Sequence, residues 1–247
     1  RIPTVSDAID RTDDNPFQAF KAYLPQAYPA IYSRLDTLTI NEYGLVFRWP
    51  GKNPALPPIL LCSHYDVVPV LNYDPSAPDA PLPGWDYPPF SGAVADGRIY
   101  GRGTLDMKGM LFSILEATDS LLAEGFRPER DVWIALGFDE ETGGTQGALK
   151  IARYFEEQGI AFDAVYDEGG IIIAPGLGGI QRTAALVGTA EKGFSTIRIT
   201  VRGTGGHSSM PPEKGSLVLA AEIIEMLNQE RMPAFLTAPV SYTHLRA

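Results

Sequence analysis

Residues 57–66 read PPILLCSHYD, an apolar run that ends in a serine, a histidine and, two positions later, an aspartate. From Ile59 to Cys62 there is no alternation with polar residues, the pattern of a strand covered on both faces rather than one at a sheet edge. Such a strand, central in its sheet, would present His64 and Asp66 at its carboxyl end, where ligands collect in parallel sheets. Upstream, RLDTLTI (34–40) and LVFRWP (45–50) alternate around Asn41 and Gly44 and predict a hairpin. Before them, Asn15 and Pro16 form a cap and first-turn proline for a surface helix with Phe17, Phe20, Tyr23 and Leu24 on one face.

Downstream, the proline-rich and aromatic stretch from Pro69 to Gly97 is expected to be neither helix nor regular strand. Trp85, Tyr87 and Phe90 either pack it on the surface or let it shape a substrate entrance. RIYGRGTLDMKG (98–109) leads from a short strand through two glycines into a helix over about 107–124. A strand at DVWIALGF (131–138), a helix around TQGALKIARYFEEQG (145–159) and a strand at FDAVYD (162–167) follow. Strands alternating with helices predict an α/β domain with a mixed, largely parallel sheet flanked by helices. Beyond Ala184 the period changes: FSTIRITVRG (194–203) alternates like a strand with one wet face, and a helix follows over about 214–229. The expected division is 1–186 for the first domain and 187–239 for the opening of an α+β domain.

Composition limits the functions open to the chain. Its 247 residues suffice for a sizeable core, and 45% hydrophobic with 20% charged residues is ordinary for a protein that folds in water. A formal net charge of -10 argues against nucleic acid or an anionic membrane as partner. The single cysteine, Cys62, rules out an internal disulfide or a cysteine-rich metal site and reads as a small buried hydrophobe. RIPTVSDAID carries no signal segment, and cytoplasmic and exported placement both stay open.

The chemistry lies at the predicted strand ends. His64 and Asp66 follow one strand, Asp139, Glu140 and Glu141 a second, and Asp167 and Glu168 a third, while Asp106 sits on the glycine turn. Carboxylates gathered at one edge repel one another unless a cation lies among them. One imidazole with several carboxylates suits Zn²⁺, with Mn²⁺ or Co²⁺ as alternatives. Three protein ligands satisfy one zinc, so the surplus suggests two ions sharing a bridging carboxylate. Glu140 and Glu141 are adjacent and cannot easily address one atom, so one would bind metal while the other takes a proton from water. Each motif alone has a plainer reading: a hydrogen-bonded pair for HYD, a solvated turn for DEE, an ordinary glycine turn for GRGTLD.

Taken together, SHYDVVPV, GRGTLDMKG, DEETGG, DEGG and GTGGHSSMPP resemble the M20 metallopeptidases, and within them the carboxypeptidase S and N-acyl-amino-acid hydrolase branch. The resemblance implies a zinc-peptidase catalytic domain followed by a lid and dimerisation domain. It implies that His64, Asp106 and Glu168 hold one zinc and that Asp106 bridges to a second, which Glu141 also binds. Glu140 would be general base and acid, with Asp66 orienting His64. His207 would reach across a homodimer interface to the oxyanion of the scissile carbonyl. The implied reaction is hydrolysis of an amide bond next to a free carboxylate, in a small peptide or an N-acyl amino acid. Two rivals stand beside it: a small-acyl deacylase of the acetylornithine or succinyl-diaminopimelate type, and a metal-binding but inactive protein.

The chain departs from the family pattern at its end. The family draws a further zinc ligand from a later histidine, whereas here the remaining histidine, His244, lies in SYTHLRA, which does not continue the pattern. Residues 240–247 are therefore expected to be a non-native tail, and the chain as written an incomplete, inactive enzyme.

Overall fold

The computed structural model describes residues 2–6, 15–176, 179–189, 196–203, 209, 212 and 214–229. Two compact units are present, Arg1–Glu168 and Gly169–Ala247. This division falls after Glu168, while the change of sequence pattern suggested one after residue 186.

In the first unit, α1 (Pro16–Ala27) and α2 (Pro29–Arg34) precede the hairpin β1 (Asp36–Ile40) and β2 (Gly44–Trp49). Asn15 caps α1, its side chain accepting a hydrogen bond from the Gln18 amide, and Phe17, Phe20 and Leu24 are buried. Tyr23, expected on the same face, is 44% exposed. The chain continues through β3 (Ile59–His64), the small hairpin β4 (Ala93–Ala95) and β5 (Arg98–Tyr100), α3 (Lys108–Ala123), β6 (Val132–Gly137), α4 (Ala148–Glu157) and β7 (Ala164–Tyr166). The main sheet has the order β1-β2-β6-β3-β7. The β3, β6 and β7 strands run parallel, and β2 is antiparallel to both β1 and β6. This is the mixed α/β sheet expected, with β3 in its interior.

Alternation along the strands divides two cores. Leu45, Phe47, Ile134 and Leu136 pack with Phe17, Phe20, Ile31, Leu111 and Leu115 on the face covered by α1, α2 and α3. Val46, Leu60, Trp133 and Ala135 pack with Ile151 and Phe155 of α4 on the other. Helices on both faces free the sheet's carboxyl edge to carry polar groups.

Two expectations about local structure are corrected. Within the stretch from Pro69 to Gly97, Ala93–Ala95 does form a strand, paired with Arg98–Tyr100 through an Asp96-Gly97 turn in which both residues have positive φ. The stretch 196–203, described in the second unit, is not a strand: no ladder pairs it among the described residues, and alternation without a partner does not make a strand. The second unit instead has the hairpin β8 (Ile171–Ile173) and β9 (Ala184–Leu186), and α5 (Ser216–Gln229), close to the helix predicted there. No helix among the described residues is long and apolar enough to cross a membrane.

Candidate metal centre

Register brings the predicted residues to one edge of the sheet. His64, the last residue of β3, pairs with Gly137 at the end of β6, so Asp139, Glu140 and Glu141 continue just past it. Leu61 pairs with Tyr166, and β7 then runs on into Asp167 and Glu168. Asp106 arrives from the glycine turn before α3. Gly103 in that turn has φ +85°, and a Cβ there would lie 2.7 Å from Val67 Cγ1, so both conformation and space require glycine.

His64 is 3% exposed and Asp66 is fully buried. The imidazole Nδ1 lies 3.1 Å from Asp66 Oδ1 and 3.1 Å from the Asp66 carbonyl oxygen. With Nδ1–H donated there, Nε2 faces outward, 3.2 Å from Asp106 Oδ1, 3.4 Å from Glu168 Oε1 and 3.8 Å from Glu140 Oε2. Nε2 is buried, yet no oxygen makes a hydrogen bond with it. The structure brings together donor atoms of His64, Asp106 and Glu168, and of His64, Glu140 and Glu141, each set lying within 4.8 Å of one another. A buried imidazole nitrogen that faces carboxylates without hydrogen-bonding to any of them fits a divalent cation of the zinc type.

Asp66 does more than face His64. Its Oδ1 accepts the Glu140 amide at 3.2 Å and its Oδ2 the Glu141 amide at 3.0 Å, so one buried carboxylate ties the imidazole to the acidic pair. Asp139, first of the three acids in DEE, turns away: its carboxylate accepts the Gln146 and Gly147 amides, both at 2.7 Å, and closes the loop into α4. A Cβ on Gly147 would come within 2.5 Å of that carboxylate. Asp167 accepts the amide of Glu168.

Electrostatics follow from this crowding. Burial pulls the His64 imidazole down, but the hydrogen bond and charge of Asp66, with Glu168 and Glu140, outweigh it and raise its pKa to about 9. Burial raises the Glu140, Glu141 and Glu168 carboxyls; His64 opposes this, and neighbouring carboxylates reinforce it. Cys62 is half-buried and its thiol is pushed up to about 12, by burial first and then by Asp167, which leaves it unsuited to nucleophilic work.

Several contributors were not singled out in the sequence. Tyr65, between His64 and Asp66, points into the core, where it stacks on Phe20 at 4.5 Å and donates to the Tyr43 carbonyl at 2.7 Å. Strand alternation could have found it. Lys108, two residues after Asp106, donates from Nζ to the Ile2 carbonyl at 2.9 Å. The long loop is held by Tyr73 on Phe90, Tyr87 on Tyr100 and Arg102 over Trp85, and the Arg102 amide donates to the Pro89 carbonyl. It is thereby fastened to the turn that carries Asp106. His207 and His244 lie outside the described residues.

Comparison with known proteins gives the ancestry. A probable carboxypeptidase S-like 2 of Dictyostelium discoideum is 39% identical over 224 residues, 90% of this chain and 41% of that protein. An N-fatty-acyl-amino acid synthase/hydrolase, PM20D1 of Xenopus tropicalis, is 38% identical over 235 residues, 94% of this chain and 44% of that protein. The chain thus spans less than half the length of these curated relatives. Among solved structures, an M20 family metallo-carboxypeptidase, Sso-CP2 from Sulfolobus solfataricus, is 22% identical, with a TM-score of 0.47 over 66% of this chain and 34% of that one. Residues 60–244 match peptidase family M20/M25/M40, and the chain belongs to that family.

Proposed function

We propose that this chain carries the metal-holding part of a zinc-dependent hydrolase that cleaves an amide bond next to a free carboxylate, in a small peptide or an N-acyl amino acid. The observation that carries this reading is the buried Nε2 of His64, which faces three carboxylates and has no hydrogen bond. Support comes from relatives named for carboxypeptidase and for N-fatty-acyl-amino acid chemistry. His64, Asp106 and Glu168 would hold one ion, and Asp106 with Glu141 a second. Bound zinc supplies a Lewis acid that acidifies water and draws charge from a carbonyl oxygen.

The chain's own residues do the rest. Asp66 holds the Nδ1 proton so that Nε2 presents its lone pair, and fixes the Glu140 and Glu141 backbone. Glu140 takes a proton from the attacking water and returns it to the leaving amine; burial raises its carboxyl above the usual range and makes it a better base than an ordinary glutamate. His207, from a second copy of the chain, would stabilise the carbonyl oxyanion, and residues 187–239 would form the dimerising lid. A purely monomeric protein in sedimentation velocity would remove that last element.

The substrate reading predicts that an N-acyl amino acid is hydrolysed while its methyl ester is not, because the free carboxylate contributes recognition. Equal rates for the two, followed by amine release, would show that the carboxylate plays no part.

Metal binding should also depend on pH. Because His64 in the metal-free protein keeps its proton up to about pH 9, a metal ion must displace it below that value. Zinc affinity is therefore expected to rise roughly tenfold per pH unit between pH 6.5 and 8, one proton leaving per ion. Competition against a chromophoric chelator reads this slope, and a flat profile would mean that no His64 proton is displaced by the metal in this range.

A further inference from the structure

Residues Ile2 to Ser6 lie directly against the segment that carries Asp66. Val5 and Val67 form a parallel bridge. The Val67 amide donates to the Thr4 carbonyl at 2.9 Å, and the Ser6 amide donates to the Val67 carbonyl at 3.2 Å. The Thr4 hydroxyl donates to the Tyr65 carbonyl, and the Ser6 hydroxyl reaches the Val67 carbonyl at 3.4 Å. Thr4 is fully buried and Ser6 nearly so, so these bonds are shielded from water. The far end of the segment is held by Lys108, whose ammonium donates to the Ile2 carbonyl at 2.9 Å and lies 5.6 Å from the centre of the Phe20 ring.

We propose that residues 2–6 form a positioning strap, clamped by Lys108, which holds Tyr65–Val67 so that the Asp66 carboxylate can orient His64 and the Glu140 and Glu141 backbone together. A carboxylate that must meet an imidazole and two amides at once tolerates little movement, and misplacement by a fraction of an ångström weakens all three bonds. Asp66 lies between two residues whose backbone carbonyls accept from the strap, and one of those residues also donates its amide to it. Gly103, which must leave room for Val67 Cγ1, shows how closely the Asp106 turn packs on the same point. Lys108 joins the two ligand-bearing segments: it belongs to the helix that Asp106 enters, and it grips the strap that grips Asp66. Thr4 and Lys108 are thus positioning residues that touch no reacting atom.

The test reads the site without metal or substrate, so it stands apart from the functional reading on which its consequence for catalysis rests. In ¹⁵N-labelled metal-free protein, amide hydrogen exchange is followed by NMR for Glu140 and Glu141, which the strap does not touch, and for Ile134 and Leu136 in β6. Thr4→Val, which keeps the shape and removes the hydroxyl donor, is expected to speed exchange at Glu140 and Glu141 by about tenfold or more, with the β6 amides unchanged and Thr4→Ser restoring protection. Lys108→Met provides a second variant with the same expected pattern, should Thr4→Val not fold. Unchanged exchange at Glu140 and Glu141 in a folded variant overturns the strap, as does an equal rise in β6, which would mean general loss of stability. A parallel zinc titration separates the two readings. Selective exchange with no zinc bound by the unmutated protein supports the strap and removes the metal; normal zinc binding with unaltered exchange does the reverse.

Discussion

In a protein of the relatives' full length that carries this chain, Glu140→Gln is expected to lower turnover of an N-acyl amino acid by about 10²–10⁴-fold, the usual contribution of a general acid-base residue, with zinc content unchanged. The side chain is half exposed at the carboxyl edge of β6, and its Oε2 stands 3.8 Å from His64 Nε2, close enough to share the site. An amide of the same shape keeps the backbone hydrogen bond to Asp66, which involves the Glu140 amide rather than its side chain. What is lost is the ability to accept a proton. Because that loss acts on the chemical step, it should appear in kcat with little change in KM. A KM effect alone would make Glu140 a binding residue, and joint loss of zinc would make it a ligand.

The second large effect belongs to His64. His64→Ala is expected to weaken zinc binding by more than about 100-fold, beyond what loss of a supporting hydrogen bond to a ligand costs. This is the one nitrogen donor in both sets of ligand atoms found among the described residues. Its removal leaves only carboxylates, a donor set better suited to magnesium or calcium than to zinc. Retention of full zinc affinity in the variant would place the metal elsewhere.

How much of this was legible beforehand varied with the kind of signal. The β3 strand was readable because an unbroken apolar run admits few environments, and its end put His64 and Asp66 at the sheet edge. The acidic pair after β6 was readable for the same reason. Glu168 was legible in the same way, as an acid just past a predicted strand, although β7 itself has only three residues. The β4–β5 hairpin lay hidden because prolines and turn residues dominate its surroundings, while its own pairing depends on the Asp96-Gly97 turn. The alternation in 194–203 suggested a strand, but alternation reports which faces could be wet or dry, not whether a partner is present to complete a ladder.

The strap was the least legible part. Thr4 and Tyr65 are 61 positions apart, and nothing in RIPTVS announces what its polar groups will bond. Asp139 illustrates the converse. It stands beside Glu140 and Glu141 in sequence and is chemically equivalent to a ligand, yet the Gln146 and Gly147 amides direct its carboxylate into the loop. Residue type narrows the choice of ligands, but local hydrogen bonding decides which carboxylate remains free to face the site.

The central claim is that the carboxyl edge of this sheet holds zinc, and the most direct measurement is the zinc content of the purified chain, by elemental analysis after dialysis against dilute zinc and then against zinc-free buffer. At least one tightly held ion per chain is expected. A chain that emerges folded and free of zinc would contradict the claim.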